Sequence, residues 1–307
     1  MRQPEELYEL DPSAAPDTDG AAMLVHLEGF MDAGAAGRLA TEHLLDTFEH
    51  TTVARFDTDR LLDYRSRRPL MTFDDGRWES YDEPELAVHL LSDSAGKQFL
   101  LLTGPEPDHE WELFVAATRS LAERLGTGPV ITYFGVPMGI PHTRPLGVIT
   151  HASRPGLVTT RVPLPSKLQV PASASALMEF RFGEAGRDAI GFVVQVPHYL
   201  AQAAYPTAAL TLLDSVCEAA SLDLPALELR EAADRTNALI DRQVAESSEV
   251  AELVHGLEEQ YDAALASASA EGGDLLAEGE QMPTADELAA QFEQFLAEQQ
   301  RGDSPDR

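Results

Sequence analysis

Apolar and polar residues follow two periods along the chain, and these periods predict its secondary structure. Short apolar runs predict six β-strands, at residues 23–27, 52–56, 98–103, 130–134, 146–151 and 191–196. Apolar residues at spacings of three and four predict three helices, at residues 32–48, 110–125 and from 206 onward. Strands that alternate with helices are typical of a parallel sheet. The pattern therefore predicts an α/β fold with a mainly parallel sheet.

A predicted hairpin interrupts this alternation. The residues Asp74-Asp75-Gly76-Arg77 separate two short runs at 70–73 and 78–81. An Asp-Gly pair between two such runs is a strong signal for a tight β-hairpin turn. We expect the hairpin to lie at an edge of the sheet.

Composition divides the chain into four predicted parts. Residues 1–20 are rich in Pro, Asp, Glu and Ala and show little periodicity, which is typical of a flexible acidic arm. Residues 21–221 form the predicted α/β core domain, and residues 222–267 form a helical subdomain. Residues 268–307 contain a Gly- and acid-rich linker and a terminal amphipathic helix that starts with the capping box Thr284-Ala285-Asp286-Glu287.

Charge narrows the range of partners. The sequence has 22 Lys and Arg residues against 52 Asp and Glu residues, which gives a formal net charge of −30 at pH 7. Such a surface repels phosphate backbones and anionic membranes, so we expect neither nucleic acid nor a membrane as a partner. We predict a cytoplasmic protein for two reasons. The first residues do not contain a basic segment followed by an apolar run, as a signal peptide would, and no apolar run has the roughly 18 to 20 residues of a membrane helix.

The turn after the first predicted strand carries Gly29, Asp32 and Gly34 directly before a helix. Ligands of open α/β sheets bind beyond the carboxyl ends of the strands, where this turn lies. Glycines before a helix N-terminus can bind a phosphate with backbone N–H groups. A carboxylate at Asp32 can instead cap the helix, and it would repel an anion. Both uses remain open at this point.

Residues 57–68 contain four arginines in a chain with few basic residues. Guanidinium groups bind carboxylates and phosphates with two parallel hydrogen bonds, which makes Arg65 a candidate ligand-binding residue. The alternative is that these arginines form ion pairs with an acidic neighbouring subunit or with nearby carboxylates, namely Asp57, Asp59 and Asp63.

Two further loops bring His142 close to Arg144, and His198 next to Tyr199. Imidazole and phenol groups at the edge of a sheet can act as general acid and base. The sequence contains neither a serine nucleophile elbow nor an HExxH pair. A metal site that includes His151 would lack an acidic ligand at a diagnostic spacing. We therefore predict no catalytic residue, no metal and no cofactor.

Apolar residues near the C-terminus form a candidate protein-binding surface. They are Val250, Leu257 and Tyr261 on one long helix predicted at 237–266, and Leu288, Phe292 and Phe295 on the terminal helix. A short amphipathic helix after a linker can dock in a groove of a partner, or it can pack on its own domain or on another copy. The apolar stripe of the long helix predicts a homo-oligomer, for which a trimer is our expectation.

Several short segments are unremarkable alone but specific in combination. They are Gly29-Phe30-Met31-Asp32-Ala33-Gly34, residues 56–69, Pro141-His142-Thr143-Arg144-Pro145, residues 196–201 with Tyr205-Pro206, and residues 243–247 and 257–262. Together they resemble the actinobacterial branch of the family of proteasome assembly chaperone two. The resemblance covers nearly the whole chain after residue 20.

The resemblance implies a three-layer α/β core similar to the phosphorylase and hydrolase-like fold, with a C-terminal helical extension and self-association. It also implies binding of proteasome-type subunits without catalysis. Some chaperones of this kind dock through a C-terminal hydrophobic-tyrosine-any-residue tail. This sequence ends in Ser304-Pro305-Asp306-Arg307 instead.

Two functions follow as hypotheses. The first is a non-catalytic, assembly-chaperone-like cytoplasmic protein that binds proteasome-type subunits or another protein. The alternative is a phosphorylase-like or hydrolase-like enzyme that acts on a small anionic substrate at the carboxyl edge of the sheet. Its cleft would contain Asp32, His142, Arg144 and His198. The first is preferred, because the sequence holds no complete catalytic motif.

Overall fold

The computed structural model describes residues 3–11, 18, 20–29, 31–158 and 167–270, with side chains to residue 266. In these residues the helices are α1 (Ala36–Thr47), α2 (Thr58–Leu61), α3 (Trp111–Arg124), α4 (Ala174–Glu184), α5 (Pro206–Ala220), α6 (Leu227–Glu246) and α7 (Ser248–Ala270). The strands are β1 (Tyr8–Leu10), β2 (Met23–Glu28), β3 (His50–Phe56), β4 (Met71–Asp74), β5 (Arg77–Tyr81), β6 (Ala87–Ser92), β7 (Gln98–Pro105), β8 (Val130–Met138), β9 (Val148–Ala152) and β10 (Ala189–Pro197).

Eight strands form one sheet in the order β1-β3-β6-β7-β2-β8-β10-β9. The four neighbours β7, β2, β8 and β10 pair in parallel, and the other pairs are antiparallel. Five strands run in the same direction, because β3 also points along this parallel group. The predicted α/β fold with a mainly parallel sheet is confirmed.

Helices cover both faces of this sheet. Side chains alternate between the faces along a strand, and β2 follows this rule: Leu24 lies in one core, and Met23 and Val25 lie in the other. The first core also contains α1, α5 and the inner face of α6, whereas the second contains α3 and α4. Burial of each large aliphatic side chain contributes roughly 1.5–3 kcal/mol to folding. The three-layer arrangement implied by the resemblance is confirmed.

The turns after β2, β8 and β10 meet at the carboxyl edge of the parallel strands. The Gly34 N–H donates to the Ala201 carbonyl, and the Tyr205 N–H donates to the Gly34 carbonyl, both at 2.8 Å. Gly34 has a φ of +69°, a conformation that glycine adopts without strain. Pro206 occupies the first turn of α5, as predicted.

The structure differs from the predicted flexible arm at residues 4–10. Leu7 is fully buried in the second core, and β1 pairs antiparallel with β3, with Tyr8 opposite Phe56. The sequence-based prediction was wrong here because one short apolar segment in an acidic stretch has too little periodicity to be recognised. Pairing with an existing strand supplies the stability that the segment lacks alone.

The long helix predicted at 237–266 is also corrected, because Ser247 separates α6 from α7. Ser247 has an extended backbone, with φ −130° and ψ 115°. Its hydroxyl lies 3.4 Å from the Val250 N–H, as in an N-cap. The described residues up to Tyr261 form one compact unit, so α6 belongs to the same unit as the α/β core rather than to the separate helical subdomain predicted from residue 222.

The sequence pattern missed two further elements, β6 and α4. Strand β6 pairs with both β3 and β7 inside the sheet. Ser173 is the N-cap of helix α4, and its hydroxyl accepts a hydrogen bond from the Ala176 N–H at 3.1 Å. None of the helices in the described residues has the length and apolar character needed to span a membrane.

Candidate functional site

The carboxylate of Asp32 caps α1 and links it to the sheet. Oδ1 accepts hydrogen bonds from the Gly37 N–H at 2.9 Å and the Gly135 N–H at 3.0 Å, and Oδ2 accepts one from the Arg38 N–H at 2.9 Å. These are the backbone donors that a phosphate would need at this helix start. The geometry therefore favours the capping use of Asp32 over the phosphate cradle.

Gly29 does not contribute to this cap, and its missing side chain leaves room for the side chain of Glu106. A Cβ at position 29 would lie 2.5 Å from the Glu106 Oε2 atom. Glu106 is buried, and its Oε1 accepts a hydrogen bond from the Ala174 N–H at 2.7 Å. The predicted glycine turn thus positions a carboxylate that the sequence analysis did not select.

His26 lies beneath the Asp32 cap and is almost fully buried. Its Nδ1 is 3.3 Å from the Tyr133 carbonyl oxygen, and its Nε2 is 3.9 Å from Asp32 Oδ2. In the part of the chain that the structure describes, Nε2 makes no hydrogen bond. Burial lowers the pKa of His26, and the nearby Asp32 carboxylate only partly opposes this effect. His26 is therefore a neutral core histidine.

The loop at residues 135–145 brings the predicted histidine and tyrosine together. His142 Nδ1 is 2.7 Å from the Tyr199 hydroxyl, and His142 Nε2 is 3.2 Å from Asp241 Oδ1 on α6. The His198 ring lies 5.4 Å from the Tyr199 ring. Burial raises the pKa of Tyr199 to about 12, so its hydroxyl stays protonated and can donate to His142.

Helix α7 holds the end of this loop. Arg144 forms an ion pair with Glu258 at 3.1 Å, and the Thr143 hydroxyl donates to the same carboxylate. The Tyr261 hydroxyl donates to the Pro145 carbonyl at 3.0 Å. Arg144 therefore has a carboxylate partner inside the chain, and its predicted role in binding an anion would require this pair to break.

The arginine-rich loop pairs with residues beside the start of α3. Arg60 contacts Glu110 at 2.8 Å, and Arg67 contacts Asp108 at 2.6 Å. The predicted partners were Asp57, Asp59 and Asp63, so the ion-pair alternative has the right chemistry with different carboxylates. The Arg65 side chain is exposed, and its role in binding a ligand stays a prediction.

A cavity of about 460 Å³ lies between strands β2, β8 and β9, the start of α4 and residues 170–173. Its walls are mainly apolar, with Leu27, Phe134, Val136 and Pro171 among the lining residues. This volume lies in the range of small-molecule sites. The sequence pattern does not predict this cavity, because the residues of α4 lack a clear helical period.

Polar groups of the cavity come from three elements. Glu179 on α4 accepts a hydrogen bond from the Thr132 hydroxyl, and its Oε2 lies 2.8 Å from His151 Nδ1 on β9. Burial lowers the pKa of His151, but the hydrogen bond and charge of Glu179 outweigh it, so the net pKa is raised. His151 therefore holds a proton more readily than an ordinary histidine. Glu106 also lines the cavity.

The hairpin of β4 and β5 forms a small sheet of its own. Asp75 and Gly76 have φ values of +43° and +77°, as the predicted Asp-Gly turn requires. The Phe73 and Trp78 rings pack edge to face at 5.0 Å. Five large apolar side chains of this segment are 46–73% exposed, namely Leu70, Met71, Phe73, Trp78 and Tyr81.

The sequence profile of the PAC2 family matches residues 26–244, which is most of the chain. The chain belongs to the PAC2 family. A Mycobacterium tuberculosis protein of unknown function is 46% identical, with a TM-score of 0.82 over 88% of this chain and 93% of that chain. A Corynebacterium glutamicum protein of unknown function is 38% identical, with a TM-score of 0.80 over 84% of this chain and 98% of that chain.

A third similar structure carries a functional name. It is a Mycobacterium tuberculosis proteasome-assembly chaperone homologue, 24% identical, with a TM-score of 0.70 over 76% of this chain and 99% of that chain. At this identity the likeness shows a shared fold. The comparison with curated proteins gave no match.

The predicted partner-binding residues of this PAC2 protein differ in accessibility. Val250 is exposed, whereas Leu257 is only 8% exposed and packs inside the chain. Tyr261 is half-buried. Leu257 is therefore corrected from a partner contact to a core residue. The other three candidates, Leu288, Phe292 and Phe295, lie outside the described residues. Within the described part of the chain, no three His, Cys, Asp or Glu residues are grouped to hold a metal ion.

Proposed function

We propose that this PAC2 protein is a non-catalytic, assembly-chaperone-like protein of the cytoplasm that binds another folded protein. Membership of the family supports the proposal, as does the fold that it shares with a proteasome-assembly chaperone homologue. Proteasome-type subunits are the first partner to test. The observation that carries the proposal is the exposed apolar surface of the β4–β5 hairpin.

An isolated two-stranded hairpin is marginally stable in water, and exposed aromatic rings are enriched at protein interfaces. Phe73 and Trp78 are 59% and 64% exposed in the hairpin. They form a contiguous pair rather than scattered single residues, and contiguous apolar patches mark interaction sites. We infer that a partner covers this pair.

The charges around the hairpin indicate which kind of partner surface would be complementary to it. Residues 70–85 contain the acidic residues Asp74, Asp75, Glu79, Asp82, Glu83 and Glu85 and a single basic residue, Arg77. Complementary charge speeds association and excludes partners of the wrong sign. The matching surface would therefore have an apolar centre and a basic rim.

The test mixes the full chain with purified proteasome α-type and β-type subunits of its host and measures complexes by native mass spectrometry. We expect a complex of fixed stoichiometry. The double variant Phe73→Ser, Trp78→Ser should lose it, because the aromatic contact area is removed. The matched control is Phe180→Ser on α4, where an equally exposed aromatic ring is removed from another surface.

Two results would count against the proposal. Absence of any complex with the wild-type chain would exclude proteasome-type subunits as the partner. A complex that persists in the hairpin double variant would exclude the hairpin as the contact surface. The same spectra of the chain alone would measure the predicted trimer.

The C-terminal segment provides a second test. Removal of residues 268–307 deletes the predicted terminal helix and leaves the unit up to Tyr261 intact. We expect weaker capture of the partner with unchanged circular dichroism per residue of the core. Unchanged capture would remove this segment from the binding surface.

The enzyme alternative has less support from the geometry. Its cleft would need Asp32 and Arg144 to face a small anion. Asp32 instead caps α1, and Arg144 is paired with Glu258. Fold similarity to phosphorylases is weak support for an activity.

A further inference from the structure

The described lining of the cavity beside α4 has more negative than positive charge. Among the residues that the structure describes, it contains two carboxylates, Glu106 and Glu179, and one group that can balance them, the His151 imidazole. His151 pairs with Glu179 at 2.8 Å. His26, the other histidine of the lining, is neutral because burial lowers its pKa. Within the described part of the chain, one carboxylate of the lining therefore has no cation beside it.

That carboxylate is Glu106. Its Oε1 accepts a hydrogen bond from the Ala174 N–H, but its Oε2 accepts none from the residues that the structure describes. Glu106 is 8% exposed. Arg67 donates to the Glu106 carbonyl, but its guanidinium charge is paired with Asp108. A carboxylate oxygen that lines a cavity and has no charge partner among the described residues can accept a charge-assisted hydrogen bond from a cation.

The rest of the cavity is suited to an apolar group. Leu27, Phe134, Val136 and Pro171 line it, and its volume is about 460 Å³. Small-ligand sites combine mostly apolar walls with a few polar groups that fix orientation. An amine with an apolar body would match both the walls and the charge of Glu106.

We propose that this cavity binds a small organic cation, a primary amine with an apolar body, and that Glu106 is its charge partner. Gly29 permits this placement, because a Cβ there would collide with the Glu106 carboxylate. In the Glu179–His151 pair of the lining, the imidazole is 42% exposed, which places this ring toward solvent. The proposal does not depend on the protein-binding function proposed above.

The test measures binding of three probes of similar shape to the full chain by isothermal titration calorimetry. The probes are phenethylamine, the neutral 2-phenylethanol and the anionic 3-phenylpropanoate. We expect the amine to bind at least about tenfold more tightly than the alcohol, since a charge-assisted hydrogen bond is stronger than a neutral one. The anion should not bind. Equal binding of amine and alcohol, or no binding of either, would overturn the proposal.

The variant Glu106→Gln sharpens the test, because its amide oxygen can still accept the Ala174 hydrogen bond. It should remove the advantage of the amine over the alcohol. The control Glu112→Gln removes a surface carboxylate that pairs with Arg181 and should leave binding unchanged. An unchanged preference for the amine in Glu106→Gln would overturn the assignment.

A second variant fills the cavity and leaves Glu106 in place. Ser175 is half-buried and lines the cavity from α4, so Ser175→Leu should abolish amine binding. It should also leave partner capture by the hairpin intact, which separates failure of this proposal from failure of the proposed function. Amine binding that survives in Ser175→Leu would place the site elsewhere.

Discussion

The His26–Asp32 pair and the His151–Glu179 pair lie on opposite faces of the same sheet. In the first pair the two side chains are 3.9 Å apart and the histidine is buried, so its pKa is lowered. In the second pair they are 2.8 Å apart, and the hydrogen bond and charge of Glu179 outweigh burial, so the pKa of the histidine is raised. A histidine beside a carboxylate thus forms a neutral core contact in one place and an ion pair in the other. Burial decides the direction of the pKa shift in the first pair, and the direct hydrogen bond to the carboxylate decides it in the second.

The Asp32 carboxylate forms its hydrogen bonds with backbone N–H groups, whereas the Glu179 carboxylate contacts the His151 ring directly. The Asp32 carboxylate accepts three hydrogen bonds from amide groups, and these fix α1 against β8. Little of its hydrogen-bonding capacity remains for His26. Glu179 accepts hydrogen bonds from the Thr132 hydroxyl and from His151. The first pair therefore stabilises the fold, whereas the second is available at a cavity.

Removal of Asp32 should have the largest effect on stability. In Asp32→Ala the amides of Gly37, Arg38 and Gly135 lose their acceptor, and we expect the free energy of unfolding to fall by about 3 kcal/mol. Urea denaturation measures the change. The matched control is Asp46→Ala, an exposed residue of the same helix, with an expected change within about 0.5 kcal/mol. A similar small change for Asp32 would contradict its role as a cap.

Two glycine substitutions compare the rigidity of the two sites. A Cβ at position 37 would lie 2.5 Å from His26 Nδ1 and 3.0 Å from the Tyr133 carbonyl oxygen. Neither atom can move in the core, so Gly37→Ala should lower the free energy of unfolding by about 2 kcal/mol.

The second glycine substitution is Gly191→Ala, where the added Cβ would collide with the His151 ring. This ring can swing toward solvent, so the loss should stay below about 1 kcal/mol while the contact with Glu179 breaks. Thermal or urea unfolding ranks the two variants. A larger loss for Gly191→Ala would show that His151 is the more rigidly held histidine.

The pH dependence of stability should separate the two histidines by sign. Because the pKa of His26 is lowered in the folded state, His26 binds a proton more readily in the unfolded chain than in the folded chain. The free energy of unfolding therefore falls as the pH drops below about 6.5. The raised pKa of His151 means the reverse: its contribution is full at low pH and is lost as the pH rises through the raised pKa.

His26→Gln should therefore flatten the loss of stability toward low pH, and His151→Gln should steepen it. Urea denaturation from about pH 8 to about pH 5 measures both slopes. His89, whose pKa burial also lowers, is present in all three proteins and contributes the same slope to each. Parallel curves for the two variants would refute the comparison.

The smallest effect is expected from Glu179→Gln. Loss of the carboxylate charge should lower the pKa of His151, with little change in stability because the pair is partly exposed. A titration of histidine ring signals by NMR reads this change directly. The His26 signal should stay unmoved, since its ring contacts Asp32 and Tyr133 rather than Glu179. A His151 signal that titrates as in the wild type would rule out Glu179 as the cause of the raised pKa.

The sequence predicted the parts of this fold that depend on local pattern. The central strands, the Asp74–Arg77 turn and Pro206 at the start of α5 follow from periodicity and turn chemistry. Strand β1 and helix α4 were missed, because their stability comes from pairing and burial against distant residues. Ser247 divides a helical pattern that continues on both sides, so periodicity alone could not locate the break.

The candidate site was less predictable than the fold. His142, His198 and Tyr199 were selected together and lie together. Glu106 and Glu179 were missed, although both line the cavity beside α4. In a chain with many acidic residues, the sequence does not distinguish a buried glutamate from a solvent-exposed one. Only the three-dimensional placement of α4 distinguishes them.

The position of β2 in the sheet has a consequence for synthesis of the chain. Strand β2 pairs with β7 and β8, which both follow it in the sequence, and the Asp32–Gly135 hydrogen bond spans 103 residues. At ribosomal speeds of roughly 5–20 residues per second, Gly135 is made about 5 to 20 s after Asp32. The apolar central strand emerges long before either neighbour exists. During that interval the nascent chain must keep β2 away from the strands of other chains.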